Sequence, residues 1–140
     1  MKYHISDVLT ITTGRLVSSR HIEGVYDILG YMTGDSLMTH QLPRAMRECA
    51  PTILKAYPQL SPTDPATAQA IKAMDTEVKA SDPAGAVVNM VLRVQLSHGL
   101  DDMLEVPKLP HDQSAHTDPL EELIGMVGRE RVIVVDKESA

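Results

Sequence analysis

Tryptophan and phenylalanine are both absent, and the aromatic side chains of the 140 residues are four tyrosines. Base-stacking platforms for single-stranded nucleic acid are hard to build from so few rings, and the core has to come from Leu, Ile, Val, Met and Ala. Cysteine occurs once, as Cys49, so no intrachain disulfide is possible and a reducing compartment is expected. No apolar run approaches the roughly 20 residues that span a bilayer. The longest, over residues 87–94, is interrupted by Asn89 and Arg93. A basic start followed by an apolar stretch and a small-residue cleavage site is also missing, which makes a cytoplasmic protein the expectation. With 43% apolar and 23% charged residues, the chain suits a single domain over 1–140, large enough to hold a core without metal or disulfide.

Charge is unevenly placed. The net charge is −6, yet residues 1–60 carry six bases against five acids, and residues 61–140 carry seven bases against fourteen acids. A chain with this balance lacks the positive field that supplies most duplex affinity, which argues against bulk nucleic acid as a partner. A local anion pocket in the first half remains compatible with it.

Proline and glycine punctuate the sequence into helical segments. Ser6 and Asp7 suit a helix start and Gly14 a left-handed end, although the β-branched run from Thr10 to Thr13 disfavours helix between them. Ile22, Val25, Leu29 and Met32 form one stripe of a helix closing at Gly34. Pro43 opens a third helix with Met46, Cys49, Ile53 and Tyr57 on one face, and Pro51 is expected to bend or split it. Asp64-Pro65, Asp82-Pro83 and Asp118-Pro119 each place a capping carboxylate before a proline suited to a first helical turn, predicting helices over 65–80, 83–98 and 119–127. The helix at 83–98 is apolar almost all round, so it is expected to be either a central core helix or an oligomer interface, and a homo-oligomer follows from the second. In the last helix, Leu120, Leu123, Ile124 and Val127 have the spacing of a core-facing stripe. Residues 131–136 read as a short buried strand, paired with 103–106, where Pro107 makes an edge. The fold class is thus α+β: a helix-rich domain of five or six helices with a small two-stranded sheet near the C-terminus.

Three constellations could carry chemistry. Thr12, Thr13 and Arg15 around Gly14, with Arg20 and His21 following, combine hydroxyls, turn amides and guanidinium groups that grip anions. Thr39, His40, Gln41 and Arg44 stand at a helix start, where unpaired N–H groups and the helix dipole favour negative charge. Asn89 and Arg93, four residues apart, form a polar strip that could face the same pocket. The structural alternatives are a helix end with surface arginines, an N-terminal cap and a solvated strip. His111, His116 and Asp118 have metal-binding residue types without metal-binding spacing, so no metal and no cofactor are expected. Cys49 lies on an apolar face and reads as an inert core residue. No nucleophile–base motif or phosphate-binding glycine loop is present, and nothing requires an enzyme.

The segments Ile11-Thr12-Thr13-Gly14-Arg15-Leu16, Gly24-Val25-Tyr26-Asp27-Ile28-Leu29, Tyr31-Met32-Thr33-Gly34-Asp35, Thr39-His40-Gln41-Leu42-Pro43-Arg44-Ala45 and Asp118-Pro119-Leu120-Glu121-Glu122-Leu123-Ile124 together resemble a family of small uncharacterised proteins of bacteriophages and prophages. Residues 60–98 depart from that pattern, lacking its aromatic side chains. The resemblance implies a phage setting in a host cytoplasm and brings no assigned activity. Small phage proteins without enzyme motifs are often antagonists of host defence. Two modes are then expected. One sequesters a small anionic, nucleotide-like signal through Thr12, Thr13, Arg15, Arg20, Thr39, His40, Gln41, Arg44 and Arg93. The other is a protein–protein inhibitor, an anti-CRISPR-like decoy, whose acidic second half covers a basic surface of a host defence protein.

Overall fold

A helix buried on every side organises the chain. In this computed structural model, which describes residues 1–80, 82–110, 115–116 and 119–127, strand β1 (Lys2–His4) runs directly into α1 (Ile5–Thr13), whose residues 5–12 are all buried. His4, rather than Ser6, caps α1: its Nδ1 accepts the Ser6 amide at 3.1 Å. The β-branched run stays helical because its hydroxyls bond back to the preceding turn, Thr10 to the Ser6 carbonyl at 2.9 Å and Thr13 to the Leu9 carbonyl at 2.6 Å. Gly14, at φ 73°, ends the helix in the left-handed conformation that its lack of Cβ permits.

The remaining helices are α2 (His21–Thr33), α3 (Leu42–Ala56), α4 (Pro65–Ala80), α5 (Pro83–His98) and α6 (Pro119–Val127). Helix α1 packs against α2, α3 and α5, while α4 and α5 form an antiparallel pair. Val25, Leu29 and Met32 bury the expected stripe of α2, and Ile22, at its mouth, is exposed. A short 3-10 turn (Thr39–Gln41) leads into α3, which continues through Pro51 as one helix. The Asp-Pro reading holds at two places: Asp64 Oδ2 accepts the Thr67 amide and Asp82 Oδ1 the Gly85 amide, at 3.1 and 3.0 Å. Asp118 lies outside the described residues.

Strand β2 (Met103–Glu105) was expected to pair with 131–136. Among the described residues its partner is β1, antiparallel, with Tyr3 opposite Leu104. Bonds from Val106 N to Met1 O and from Ile5 N to Asp102 O extend the ladder at both ends. Residues 131–136 lie outside the described residues. The tyrosines fasten this ribbon to the helices: Tyr57 donates to the Glu105 carbonyl at 2.7 Å and Tyr31 to that of Val106 at 3.0 Å. Helix α6 departs from its expected core role, since Leu120 is exposed and Leu123 and Ile124 are only half-buried. Among the described residues no helix is long and apolar enough to cross a membrane.

Asp7, in the first turn of α1, has no exposed surface. A buried carboxylate needs partners, and it takes a hydrogen bond from the Ser18 hydroxyl and an ion pair with Arg20 Nη2 at 2.8 Å. Arg20 Nη1 also reaches Asp27 at 2.8 Å, so one guanidinium joins α1 to α2. These helices approach closely at Gly24, where a Cβ would overlap Ser18 Oγ and Asp7 Oδ1. Gly24→Ala should therefore destabilise the fold by about 1–3 kcal/mol, the usual cost of overpacking. Urea unfolding measures it, and an unchanged midpoint would contradict the tight fit.

Candidate ligand-binding cleft

At the start of α3 two of the expected anion-binding residues, Gln41 and Arg44, converge on a carboxylate of the chain itself, Glu122. Gln41 Oε1 accepts the Met38 amide at 3.0 Å, which orients the amide group, and its Nε2 donates to Glu122 Oε2 of α6 at 2.7 Å. Arg44 completes the grip with two parallel bonds, Nε to Oε1 at 2.8 Å and Nη2 to Oε2 at 3.0 Å. Its Nη1 donates to Glu48, one turn further along α3, at 2.6 Å. This forked geometry is the strong form of an arginine–carboxylate contact. Both side chains are largely shielded, 16% and 12% exposed. The hydrogen bonds of Arg44 first, then that of Gln41 and the charges of Arg44 and His40, outweigh desolvation and hold the Glu122 carboxyl down to about 2. Two further polar contacts tie the approach to α6: the Ala115 amide to Glu48 at 2.8 Å and His116 Nδ1 to Asp35 at 2.8 Å.

The other expected site residues are dispersed. Arg15 is paired with Asp75 of α4, and Arg20 with Asp7 and Asp27. Thr12 and Thr13 both bond to the Leu9 carbonyl, and Thr39 pairs its hydroxyl with that of Tyr26. Arg93 Nη2 meets Glu77 of α4 at 2.6 Å, with Asn89 on the second oxygen at 3.4 Å. Arg15 and Arg44 therefore serve separate carboxylates rather than one shared ligand. Of the three residues considered for a metal, only His116 is among those described, and Asp35 is its partner there. Burial pushes the Cys49 thiol up to about 12, in keeping with a core role.

A cleft of about 450 Å³ opens between α4 and α5. Ala66, Ala70 and Ala73 share one face of α4 and leave space that longer side chains would fill. Gln69, Lys72 and Thr76 of α4 line it together with Arg93 and Ser97 of α5. All five can donate hydrogen bonds, two are cationic, and no carboxylate lines the cleft. The cleft beside Arg20, of about 380 Å³, differs in containing both Asp7 and Asp27. Sequence reading reached Arg93 but missed Gln69, Lys72 and Ser97. The alanine spacing on α4 was their one visible signal, and it looked like an ordinary surface helix.

Residues 3–63 match a family described as a domain of unknown function, DUF7736. The match covers less than half of the chain: it includes α1 to α3 with Arg20 and Arg44, and leaves out α4, α5 and the cleft between them. No curated protein and no solved structure matches the chain.

The Glu122 contact sets an acid dependence. Its carboxyl sits near 2 in the folded protein, against roughly 4.3 for an unperturbed glutamate. The stabilisation is complete above the unfolded value and disappears as pH falls through the folded one. Glu122→Gln should weaken docking of α6 at neutral pH by about 1.5–3 kcal/mol and remove the component of acid unfolding between roughly pH 4.5 and 2. Hydrogen exchange of α6 as a function of pH checks this. An identical profile in wild type and variant would contradict it.

Proposed function

We propose that the protein is a non-enzymatic binding protein for a small phosphorylated, nucleotide-like ligand held in the α4–α5 cleft. One observation carries the reading: in a chain of net charge −6, this cleft is lined by two cations and three neutral hydrogen-bond donors, with no acid among its lining residues. Lys72 has no acidic partner among the described residues. Glu77 lies beside the cleft and, by accepting from Arg93 and Asn89, fixes the Arg93 guanidinium at its edge. With no aromatic ring in the lining, the phosphates rather than a base supply most of the contact. No His, Cys or carboxylate is among the lining residues, which supports holding over cleaving.

The decoy mode has less to support it. Many carboxylates of the second half are engaged inside the chain: Asp64 with Thr67 and His98, Asp75 with Arg15, Glu77 with Arg93, Glu105 with the N-terminal ammonium, and Glu122 with Arg44. In the phage setting that the sequence resemblance implies, holding a nucleotide signal intact is a way of antagonising host defence.

Calorimetry with inorganic pyrophosphate and a panel of linear and cyclic nucleotides tests the reading. A panel member should bind and be recovered unchanged. Combined Lys72→Ala and Arg93→Ala should then weaken binding about ten- to more than hundredfold, the worth of a charge-assisted contact. Binding lost on Arg44→Lys instead would move the site to the start of α3, and absence of binding across the panel would overturn the reading.

A further inference from the structure

Three of the four tyrosines gather at one cleft. Tyr3 of β1 and Tyr26 and Tyr31 of α2 line an opening of about 390 Å³, together with Asp27, Gly30 and Asp35. No Lys, Arg or His is among the lining residues. Each ring is held through its hydroxyl: Tyr3 donates to the Asp27 carbonyl at 3.3 Å, Tyr31 to that of Val106 at 3.0 Å, and Tyr26 pairs with Thr39. The Tyr3 and Tyr31 rings stand 5.5 Å apart, tilted by 46°. We propose that this cleft binds a small organic cation, an alkylammonium or guanidinium group, between the tyrosine rings and the carboxylates of Asp27 and Asp35.

Aromatic faces, charge and open space select that chemistry together. A tyrosine ring attracts a cation to its negative face, and Tyr31 already does so: Lys108 Nζ, which is not among the lining residues, stands 5.4 Å from its centroid. The N-terminal ammonium likewise reaches the Tyr31 hydroxyl at 3.4 Å while pairing with Glu105. Arg20 is shared between Asp7 and Asp27, so two carboxylates meet one guanidinium and a negative charge is left over, with the Asp27 side chain 48% exposed. Asp35 adds a carboxylate that His116 neutralises only when protonated. The net charge of −6 draws cations toward the same surface. Gly30 supplies the space. It lies inside α2, where glycine destabilises a helix relative to alanine, yet an added Cβ would meet only the Asp35 carbonyl oxygen at an ordinary 3.5 Å. Packing does not require this glycine, whereas an open cleft beside α2 does. The carboxylates that hold a cation repel phosphate, so this site is separate in chemistry from the α4–α5 cleft and stands independently of it.

With no tryptophan in the chain, tyrosine emission reports on this cleft directly. Choline and N-acetylarginine amide are titrated into the full chain through the millimolar range at constant ionic strength. At least one should change the emission saturably, the tighter naming the head group, and dimethylbutanol, the uncharged counterpart of choline, should not. Tyr26→Leu should weaken binding about three- to thirtyfold, the worth of a cation–ring contact, while Tyr26→Phe keeps the ring and stays within about threefold of wild type. Tyr26 is only half-buried, so the fold should survive, which circular dichroism verifies. Gly30→Leu should fill the cleft and weaken binding at least about tenfold, whereas Gly30→Ala should raise the urea midpoint. Equal responses to choline and dimethylbutanol, no saturation with either cation, or an affinity indifferent to both Tyr26→Leu and Gly30→Leu would overturn the proposal.

Discussion

A carboxylate without exposed surface cannot be left unpaired, and Asp7 imposes that condition at the start of α1. It draws the segment after α1 inward, because Ser18 and Arg20 must both reach it. It also fixes how α2 leaves that turn, since Gly24 has to pass without a side chain and Asp27 takes the second nitrogen of Arg20. The orientation of α1 against α2 therefore follows from satisfying one buried charge. The apolar surfaces on either side, Val8 and Leu9 of α1 with Val25 and Ile28 of α2, supply cohesion but not that particular register.

The same rule extends outward. Arg44 and Gln41 close on Glu122, Arg15 on Asp75, and Arg93 on Glu77, so with Arg20 four of the five arginines among the described residues pair with carboxylates of the chain itself. Exposed pairs such as Arg15–Asp75 contribute little by themselves. The shielded, forked Arg44–Glu122 contact is the one that anchors an otherwise weakly buried helix. Among the described residues several cations stand outside these pairs, and Lys72 is the one of them that lines the donor-rich cleft between α4 and α5. The proposed ligand site depends on this local lining rather than on the total charge of either half of the chain.

How much of this was legible in the sequence depends on the range of the interaction. Local chemistry read well: Asp64 and Asp82 cap the helices their prolines begin, and Gly14, Gly34 and Gly99 end helices in the left-handed conformation. Pairings between distant segments did not. Strand β1 is three residues long and finds its partner a hundred positions away, too short for any alternation to announce it. The residues at 39–44 declare that they will bind an anion, but the same Gln and Arg serve a ligand and Glu122 equally, and only the folded chain decides between them. In α6 the spacing of Leu120, Leu123 and Ile124 identifies an apolar face without saying what covers it, and the structure leaves it partly open. For α5 the sequence offered core helix or interface; Ala86, Met90 and Val94 are in the core, while Val88, Leu92 and Leu96 are exposed.

The proposal that matters most is that the donor-lined cleft between α4 and α5, with Lys72 and Arg93, holds the phosphorylated ligand. Amide chemical-shift mapping of the full chain during titration with inorganic pyrophosphate tests it most directly. The account predicts saturable shifts concentrated at residues 66–76 and 93–97, with the start of α3 unmoved. Shifts centred on Thr39 to Arg44 and on Glu122, or no saturable shifts at all, would contradict it.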